Sequence, residues 1–332
     1  MRIATGRGGH STILGAGGYR PRTSVSNAEI CARIDSTPEW IESRTGIRAR
    51  RFAEGDETLP AMAVSAAGKA LAQAGVDPGD VDLVLVASMS NLVQTPPLAV
   101  RVAYELGARS AAGVDVSAAC AGFCHALALA SDAVRAGSAR RVLVIGAERM
   151  TDIVEPQDRS ISFLFADGAG AVVVGPSAQP GIGPVVREAH GRYADALAMT
   201  GPWGTFAADP GGVGRPWMRM DGRRVFRWAL EEVAPAARGA LEAAGVTPND
   251  LDAFVPHQAN LRMIELMTER LGLGPRTVVA RDVVRMGNTG AASIPLAIEA
   301  LLAEGTVGKG DRALLLGFGA GLNYAGQVVV LP

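Results

Sequence analysis

Hydrophobic residues follow two alternating patterns along the chain. Short runs that are almost continuously apolar, such as VDLVLVAS at residues 81–88, predict strands buried on both faces of a sheet. Longer segments with apolar positions three or four residues apart, such as residues 58–74, predict helices, and Gly75 suits the end of that helix. This alternation predicts an α/β protein whose sheets are covered on both faces.

The first half of the chain can be divided into elements in this way. Strands are predicted at residues 11–15, 81–88, 114–116, 141–146 and 169–175, the first of them broken by Gly17-Gly18. Helices are predicted at residues 27–34, 38–45, 58–74 and 98–106, and from Cys120 to the glycine at position 137.

The second half repeats the first. LAQAGVDPGDVDLVLVAS at residues 71–88 aligns with LEAAGVTPNDLDAFVPHQ at 241–258, with seven identities in 18 positions. SARRVLVIGAE (138–148) aligns with GDRALLLGFGA (310–320), and AGAVVVG (169–175) with AGQVVVL (325–331). Three matches in one order indicate an internal duplication. We therefore predict a disordered tail at residues 1–10, a first half at 11–178 and a second half at 179–332.

One cysteine stands at a corner of the first half. In VDVSAACAGFCHALALASDAVRAG (114–137), a strand predicted to be buried ends at Val116 and Cys120 opens a helix. Unpaired backbone N–H groups and the helix dipole favour an anion there, so the position predicts a lowered thiol pKa. The alternative is that Cys120 is a small core residue of an alanine-rich helix.

Two polar residues occupy comparable corners in the second half. His257 follows a predicted strand, and Asn288 lies in a glycine-flanked turn before a helix. Singly, a structural histidine and an ordinary turn are the simpler interpretations. Together with Cys120 they favour a Cys/His/Asn catalytic site. The glycine-rich bend at residues 317–321 adds backbone N–H groups that can face an oxyanion, unless it is a plain tight turn.

Composition limits the classes of function. The 332 residues are 48% hydrophobic with a net charge of −1, which gives no indication of a nucleic-acid partner. Three cysteines are too few for a disulfide framework and fit a cytoplasmic location. No apolar run reaches about 18 residues, so no membrane partner is predicted. Residues 176–220, rich in Gly, Pro and Trp, predict a linker or a substrate-covering insertion.

Four segments resemble the signatures of the β-ketoacyl-acyl-carrier-protein synthase III family, in the thiolase superfamily: VDVSAACAGF, VPHQANLR, GNTGAAS and GFGAGL. The similarity extends from about residue 11 to residue 332. It implies the five-layered αβαβα thiolase fold, which two duplicated halves would form, and a homodimer. It also implies that Cys120 is the acylated nucleophile and that His257 and Asn288 complete the catalytic triad.

The resemblance implies a two-step reaction. Cys120 takes an acyl group from acyl-CoA, and malonyl-acyl carrier protein then condenses with it by decarboxylation. Backbone N–H groups of Cys120 and Ala320 would stabilise the oxyanion. His257 and Asn288 would donate hydrogen bonds to the enolate. The two thioesters are substrates, so no cofactor and no metal is expected.

The resemblance also assigns binding residues. It implies that Trp40 and Arg159 sandwich the CoA adenine, with Arg44 nearby. It implies that Phe165 and Thr95 belong to the acyl pocket. It also implies that Arg262 contacts the carrier protein, in a patch extended by Arg227 and Arg270. Without the resemblance, the arginines would be read as solvated surface residues and Trp40 and Phe165 as packing residues.

Two positions depart from the family pattern. Thr95 stands where straight-chain-specific members have a Phe that reaches across the dimer, so a longer or branched starter is expected. Cys124-His125 could suggest a metal pair, but a small buried residue is the simpler interpretation of Cys124. SAACAGFCHALA, ERMTD and RSISFLF are most similar to priming ketosynthases of type II aromatic polyketide pathways. The alternatives are a housekeeping fatty-acid initiator, a non-condensing acyltransferase and an inert scaffold subunit.

Overall fold

The computed structural model describes residues 9–332. The strands are β1 (His10–Tyr19), β2 (Thr23–Ser26), β3 (Ala49–Phe52), β4 (Leu83–Ala87), β5 (Ala112–Val116), β6 (Val142–Arg149), β7 (Asp167–Ser177), β8 (Val186–Ala189), β9 (Leu197–Met199), β10 (Met218–Met220), β11 (Ala253–Pro256), β12 (Val278–Val279), β13 (Arg312–Gly319) and β14 (Asn323–Val330). The helices are α1 (Asn27–Cys31), α2 (Pro38–Thr45), α3 (Leu59–Ala74), α4 (Leu98–Leu106), α5 (Gly122–Ala136), α6 (Trp203–Ala208), α7 (Gly222–Trp228), α8 (Ala234–Ala244), α9 (Leu261–Leu271), α10 (Val283–Met286) and α11 (Ser293–Ala303).

Two five-stranded sheets have the same topology. The first has the order β1-β7-β6-β4-β5, and the second has the order β8-β14-β13-β11-β12. In each, the central strand pairs in parallel with a strand of its own half and antiparallel with the strand that follows it, β4–β6–β7 in one and β11–β13–β14 in the other. The predicted duplication is therefore present in the strand order itself.

The helices form three layers around these sheets. Helices α5 and α11 lie between the sheets, and α5 contacts β6 of the first and β13 of the second. Helices α3 and α4 cover the outer face of the first sheet, while α8 covers the second and α9 packs on α8. The apolar residues of both inner sheet faces are buried against α5 and α11. The five layers agree with the predicted αβαβα architecture.

The first strand is longer than its glycines suggested. Strand β1 continues through Gly17 and Gly18 to Tyr19. A Cβ on Gly15 would lie 2.6 Å from the backbone nitrogen of Ala74, and one on Gly17 would lie 2.4 Å from that of Ala70. The glycines therefore allow α3 to pack directly on the strand, and they do not break it.

The strand before Cys120 was predicted to be buried, and this was wrong. Strand β5 is the last strand of the first sheet and, in the part of the chain that the structure describes, pairs only with β4. Most of its residues are exposed or half-buried, and Val114 is 46% exposed. An apolar residue in a strand therefore gives no information on whether the strand lies at the centre of a sheet or at its edge.

Several predicted boundaries can be compared with the structure. Helix α3 begins after the N-cap Thr58 and ends at Gly75, which is left-handed (φ 63°), as predicted. Helix α1 ends at Cys31, three residues earlier than predicted. Of the predicted tail, residues 1–8 lie outside the described residues, and β1 already begins at His10. No helix within residues 9–332 is long and apolar enough to cross a membrane.

The segment 176–220 contains regular structure. It contributes the end of β7, strand β8 at the edge of the second sheet, the antiparallel pair β9–β10 and the short helix α6. Every strand of the first sheet precedes residue 178, and every strand of the second follows it. The division into halves at residues 178 and 179 stays a prediction, because sheet membership alone does not define a domain boundary.

Candidate active site

The three predicted catalytic residues line one cavity where the two halves meet. The cavity has a volume of about 650 Å³, and Cys120, His257 and Asn288 all contribute to its wall. They come from the turn after β5, from the end of β11 and from the turn before α11. Residues that are 31 to 168 positions apart in the sequence are thus placed around one space.

Cys120 lies on a sharp turn between strand and helix. The 3₁₀ turn Ala119–Ala121 connects β5 to α5, and Ala119 has a φ of 47° although it carries a side chain. Such a conformation is costly and is often found at functional sites. The helix begins at Gly122, so Cys120 precedes the helix and does not open it.

The predicted lowering of the thiol pKa is wrong. Cys120 is 3% exposed, and loss of hydration raises the pKa of its thiol well above the usual range. The buried carboxylate of Glu148 raises that pKa further. Both effects favour the protonated thiol of Cys120 in the free protein.

The ring of His257 is held in place by a serine. The side-chain oxygen of Ser293 lies 2.7 Å from Nδ1 of His257, and the same oxygen accepts a hydrogen bond from the backbone N–H of Gln258 (3.3 Å). The serine hydroxyl can donate to Nδ1, and in that tautomer the ring proton lies on Nε2. Burial lowers the pKa of His257 to about 3, so the imidazole is neutral at physiological pH.

Asn288 is fixed by its backbone and by its own side chain. Its N–H donates to the carbonyl of Leu164 (2.8 Å), and its carbonyl accepts from the N–H of Ala166 (2.9 Å). Its side-chain oxygen accepts from the N–H of Gly290 (3.0 Å). The side-chain NH₂ of Asn288 therefore remains as the group that can donate to a ligand in the cavity.

The glycine-rich bend comes close to the nucleophile. A Cβ on Gly319 would lie 2.7 Å from Cβ and 3.0 Å from Sγ of Cys120. Only a residue without a side chain fits there. The carbonyl of Ala320, the next residue, accepts a hydrogen bond from the side-chain nitrogen of Asn323 (2.6 Å), which fixes the bend beside the thiol. The oxyanion role of the N–H groups of Cys120 and Ala320 stays a prediction.

Sequence and structure comparisons identify the family. The model of 3-oxoacyl-[acyl-carrier-protein] synthase III matches residues 114–191, and the model of its C-terminal part matches residues 241–331. A β-ketoacyl-[acyl-carrier-protein] synthase III from Streptomyces lividans is 58% identical over 322 residues, which are 97% of this chain and 95% of that protein. The chain belongs to the 3-oxoacyl-[acyl-carrier-protein] synthase III family.

Other relatives agree with this assignment. The mycobacterial β-ketoacyl-[acyl-carrier-protein] synthase III of Mycobacterium tuberculosis is 49% identical over 99% of this chain and 98% of its own. A crystal structure of the priming β-ketosynthase from the R1128 polyketide biosynthetic pathway superposes with a TM-score of 0.97 at 57% identity, covering 100% of this chain and 98% of that one. A crystal structure of the synthase III from Aquifex aeolicus superposes with a TM-score of 0.88 at 35% identity, covering 96% of this chain and 99% of that one. The predicted family, thiolase-like fold and condensing acyltransferase class are thereby confirmed.

Two of the three residues predicted for CoA border the cavity. Trp40 and Arg44, both on α2, contribute to its wall. Trp40 is 36% exposed and packs edge-on against Phe163, with ring centroids 5.4 Å apart. Arg159 is not part of this wall, although the next residue, Ser160, is. The guanidinium of Arg159 lies 3.7 Å from the carboxylate of Asp35. The sandwich of adenine between Trp40 and Arg159 stays a prediction.

The two residues predicted for the acyl pocket have different positions. Phe165 is buried, lines the cavity beside Cys120 and forms a single parallel bridge with Asn288. Thr95 is exposed on the loop between β4 and α4, and it does not line the cavity of its own chain. This position is compatible with a role across a dimer, which stays a prediction.

The residues predicted for the carrier protein do not form one compact group. Arg262 is exposed on the first turn of α9, beside Met263 of the cavity wall. Arg270 lies at the other end of this helix, about 12 Å away at 1.5 Å per residue, and donates to the carbonyl of Leu230 (2.6 Å). Arg227 is exposed on α7. Arg262 and Arg227 each follow or precede a residue of the cavity wall, Met263 and Phe226, whereas Arg270 does not.

Sequence reasoning missed three residues of this site. Ser293 holds His257, Arg223 borders the cavity, and Glu148 is buried beside the turns of Cys120 and Asn288. The only signal for Arg223 was a basic pair in DGRRVFRW, and the alignment of the repeats did not single out Ser293 or Glu148. Their importance depends on contacts between distant segments.

The Cys124-His125 pair shows the contacts of packing residues. Cys124 is fully buried, which raises its thiol pKa to about 12, and a Cβ on Gly317 would lie 3.2 Å from its sulfur. Burial lowers the pKa of His125. Within residues 9–332, no group of three or more His, Cys, Asp or Glu side chains is arranged to hold a metal ion.

Proposed function

We propose that this synthase transfers an acyl starter from acyl-CoA to Cys120 and condenses it with malonyl-acyl carrier protein. We further propose that it primes a type II polyketide pathway with a non-acetate starter. The observation that carries the catalytic assignment is the single cavity lined by Cys120, His257 and Asn288. The similarity to the R1128 priming ketosynthase over the whole chain supports the pathway.

In the first step, the sulfur of Cys120 attacks the thioester carbon of acyl-CoA. A carbon–sulfur bond to Cys120 forms, the bond to the CoA sulfur breaks, and the thiol proton ends on CoA. Negative charge develops on the carbonyl oxygen, where we propose that the N–H groups of Cys120 and Ala320 donate to it. Each such donor typically contributes about 10²–10³ in rate.

In the second step, malonyl-carrier protein loses carbon dioxide. The electron pair of the broken carbon–carbon bond forms an enolate, whose oxygen accepts hydrogen bonds from Nε2–H of His257 and the side-chain NH₂ of Asn288. The enolate carbon then attacks the acyl group on Cys120, and the released sulfur takes up one proton. Neutral donors suit this step because neither has to titrate, which agrees with the lowered pKa of His257.

We infer a starter larger than acetate from Thr95. This side chain is small and exposed on the loop that precedes α4, so in the homodimer that we propose it would leave space at the end of the acyl pocket of the second copy. A housekeeping synthase that prefers acetyl-CoA shares the catalytic residues, and a non-condensing acyltransferase shares the first step. Substrate preference and condensation therefore separate the three functions.

A two-stage assay tests the proposal. The protein is incubated with acetyl-, propionyl-, isobutyryl- and hexanoyl-CoA, and mass spectrometry locates the acyl group before malonyl-carrier protein is added. We expect a preferred non-acetyl starter on Cys120, followed by a β-ketoacyl product, and no acylation of Cys120→Ala. Acylation without condensation would support the acyltransferase, and a preference for acetyl-CoA would support the housekeeping synthase.

The pocket argument has its own control. Thr95→Phe should reduce acylation by the longer starters at least tenfold and change acetylation little, because a benzyl side chain fills space at the end of the pocket. Thr95→Ser keeps the small size and should retain the starter preference. Equal losses for all starters in Thr95→Phe would contradict the assignment of Thr95.

We also propose a homodimer formed through β5. Within residues 9–332, one edge of this strand pairs with no other strand, and Val114 is exposed. The neighbouring helices expose Val100, Tyr104 and Leu129, by 45%, 75% and 45%. A free strand edge surrounded by apolar residues suits pairing with a second copy. Light scattering that gives a monomer mass at micromolar concentration would refute it. A cytoplasmic location stays a prediction.

A further inference from the structure

A carboxylate without a basic partner is buried behind the catalytic turns. Glu148 lies near the end of β6 and is 0% exposed. In the part of the chain that the structure describes, no ion pair connects it to arginine, lysine or histidine. Burial of an unpaired carboxylate is expensive, so its retention calls for a specific set of hydrogen bonds.

Donors from two distant segments converge on this carboxylate. After β4, the N–H groups of Met89 (3.2 Å) and Ser90 (3.1 Å) donate to it, as do the hydroxyls of Ser88 (3.3 Å) and Ser90. From the turn before α11, the N–H of Ala291 donates at 3.3 Å. One side chain thus joins the segment leading to the Thr95 loop and the turn that carries Asn288.

The fit at the second segment is tight. Gly290 has a φ of 54°, and a Cβ there would lie 2.9 Å from Cγ of Glu148. Gly290 is also the residue whose backbone N–H donates to the side-chain oxygen of Asn288. A shift of the Glu148 side chain would therefore move the residue that orients the Asn288 amide.

We propose that Glu148 is a positioning residue for the condensation step, which holds the Asn288 turn in place by accepting hydrogen bonds from Ala291 and from residues 88–90. This inference rests on the proposed function. Five donors and no basic group favour the ionised carboxylate, because it offers about four acceptor sites and no donor. An amide at this position would turn an NH₂ group toward N–H groups. Burial opposes the charge and raises the pKa of Glu148 to about 7.

The same charge acts on the nucleophile. The carboxylate of Glu148 raises the pKa of the Cys120 thiol. The two turns should therefore respond differently when the charge is removed. The Asn288 turn loses its anchor and decarboxylation slows, whereas the Cys120 thiol ionises more easily.

Glu148→Gln, which keeps the size of the side chain, tests the proposal. We expect decarboxylation of malonyl-carrier protein to fall about tenfold to a hundredfold, the loss of a hydrogen bond to a charged group. Single-turnover acylation of Cys120 should change less than threefold or become faster. Iodoacetamide alkylation of Cys120, followed by mass spectrometry, should shift to lower pH. An equal decrease in both half-reactions with an unchanged alkylation profile would reduce Glu148 to a purely structural role and overturn the proposal.

A second variant keeps the test valid if Glu148→Gln does not fold. Ser90→Ala removes one donor and leaves the Ala291 contact, so the ratio of decarboxylation to acylation should fall by about threefold; an unchanged ratio overturns the proposal. Wild-type protein that neither acylates Cys120 nor decarboxylates malonyl-carrier protein refutes the proposed function instead. Wild-type activity combined with unchanged ratios in the variants refutes only the role of Glu148.

Discussion

Gly319→Ala is the most direct test of how the nucleophile is held. The backbone of Gly319 is extended (φ 173°), so alanine is compatible with it. The new Cβ, however, would lie 2.7 Å from Cβ and 3.1 Å from the backbone nitrogen of Cys120. Carbon atoms in contact are normally about 3.5–4.0 Å apart, so the cysteine must move by roughly 1 Å.

The expected loss follows from that displacement. A misplacement of about 1 Å at a reacting group costs about 10²-fold in rate. Overpacking should also lower stability by about 1–3 kcal/mol. We therefore expect acylation of Cys120 by its preferred acyl-CoA to slow about a hundredfold, while the variant remains folded at 25 °C.

Quenched-flow acylation, read by intact-protein mass spectrometry, measures this rate. Gly68→Ala is the matched control, because a Cβ at this position in α3 has no neighbour within 4 Å. It should leave acylation unchanged and raise stability by about 0.5–1 kcal/mol. Acylation by Gly319→Ala within threefold of the wild-type rate, at equal enzyme occupancy, would refute the claim that this glycine sets the position of Cys120.

Three further predictions concern the groups around the cavity. Ser293→Ala should lower decarboxylation by about 2- to 12-fold and change acylation less, because one hydrogen bond contributes about 0.5–1.5 kcal/mol. Ser293→Thr retains the hydroxyl and should restore part of the loss. No difference between the two variants would contradict the role of the serine hydroxyl at Nδ1 of His257. Because the pKa of the Cys120 thiol is raised, its iodoacetamide alkylation should accelerate about tenfold per pH unit up to at least pH 9, and a plateau below pH 8 would mean that the helix terminus outweighs burial. Cys124→Ala should keep acylation within threefold and lower the melting temperature by a few degrees, whereas loss of acylation would give Cys124 a catalytic role.

The predicted catalytic triad could be found from the sequence because its residues lie at corners between elements. A strand, a tight turn and a helix recur in both halves, and Cys120, His257 and Asn288 each stand at a strand end or helix start. Such corners meet at one edge of an α/β sheet, which is where ligand sites occur. The cavity lined by all three residues agrees with that reasoning.

The properties that depend on how deeply a residue is buried could not be predicted from the sequence. The sign of the Cys120 pKa shift follows from complete burial, and the exposure of β5 follows from its place at a sheet edge. Neither property is encoded in the local pattern around the residue. The same holds for Glu148, whose donors lie about 60 and 143 positions away in the chain.

The duplication explains why Glu148 and Gly319 contact the turns of Asn288 and Cys120. The end of β13, from the second half, packs against the turn of Cys120 in the first half, and the end of β6, from the first half, packs against the turn after Asn288 in the second. The repeat alignment equates Leu83 with Ala253, and these residues pair with Val142 and Ala313, so by strand register Glu148 corresponds to Gly319. Each half therefore supports the predicted catalytic turn of the other with the same position. In the second half this position is a glycine that leaves space beside Cys120, and in the first half it is a carboxylate that accepts a hydrogen bond from the turn after Asn288. A substitution at either residue should consequently impair one half-reaction more than the other, which a change in overall stability alone would not do.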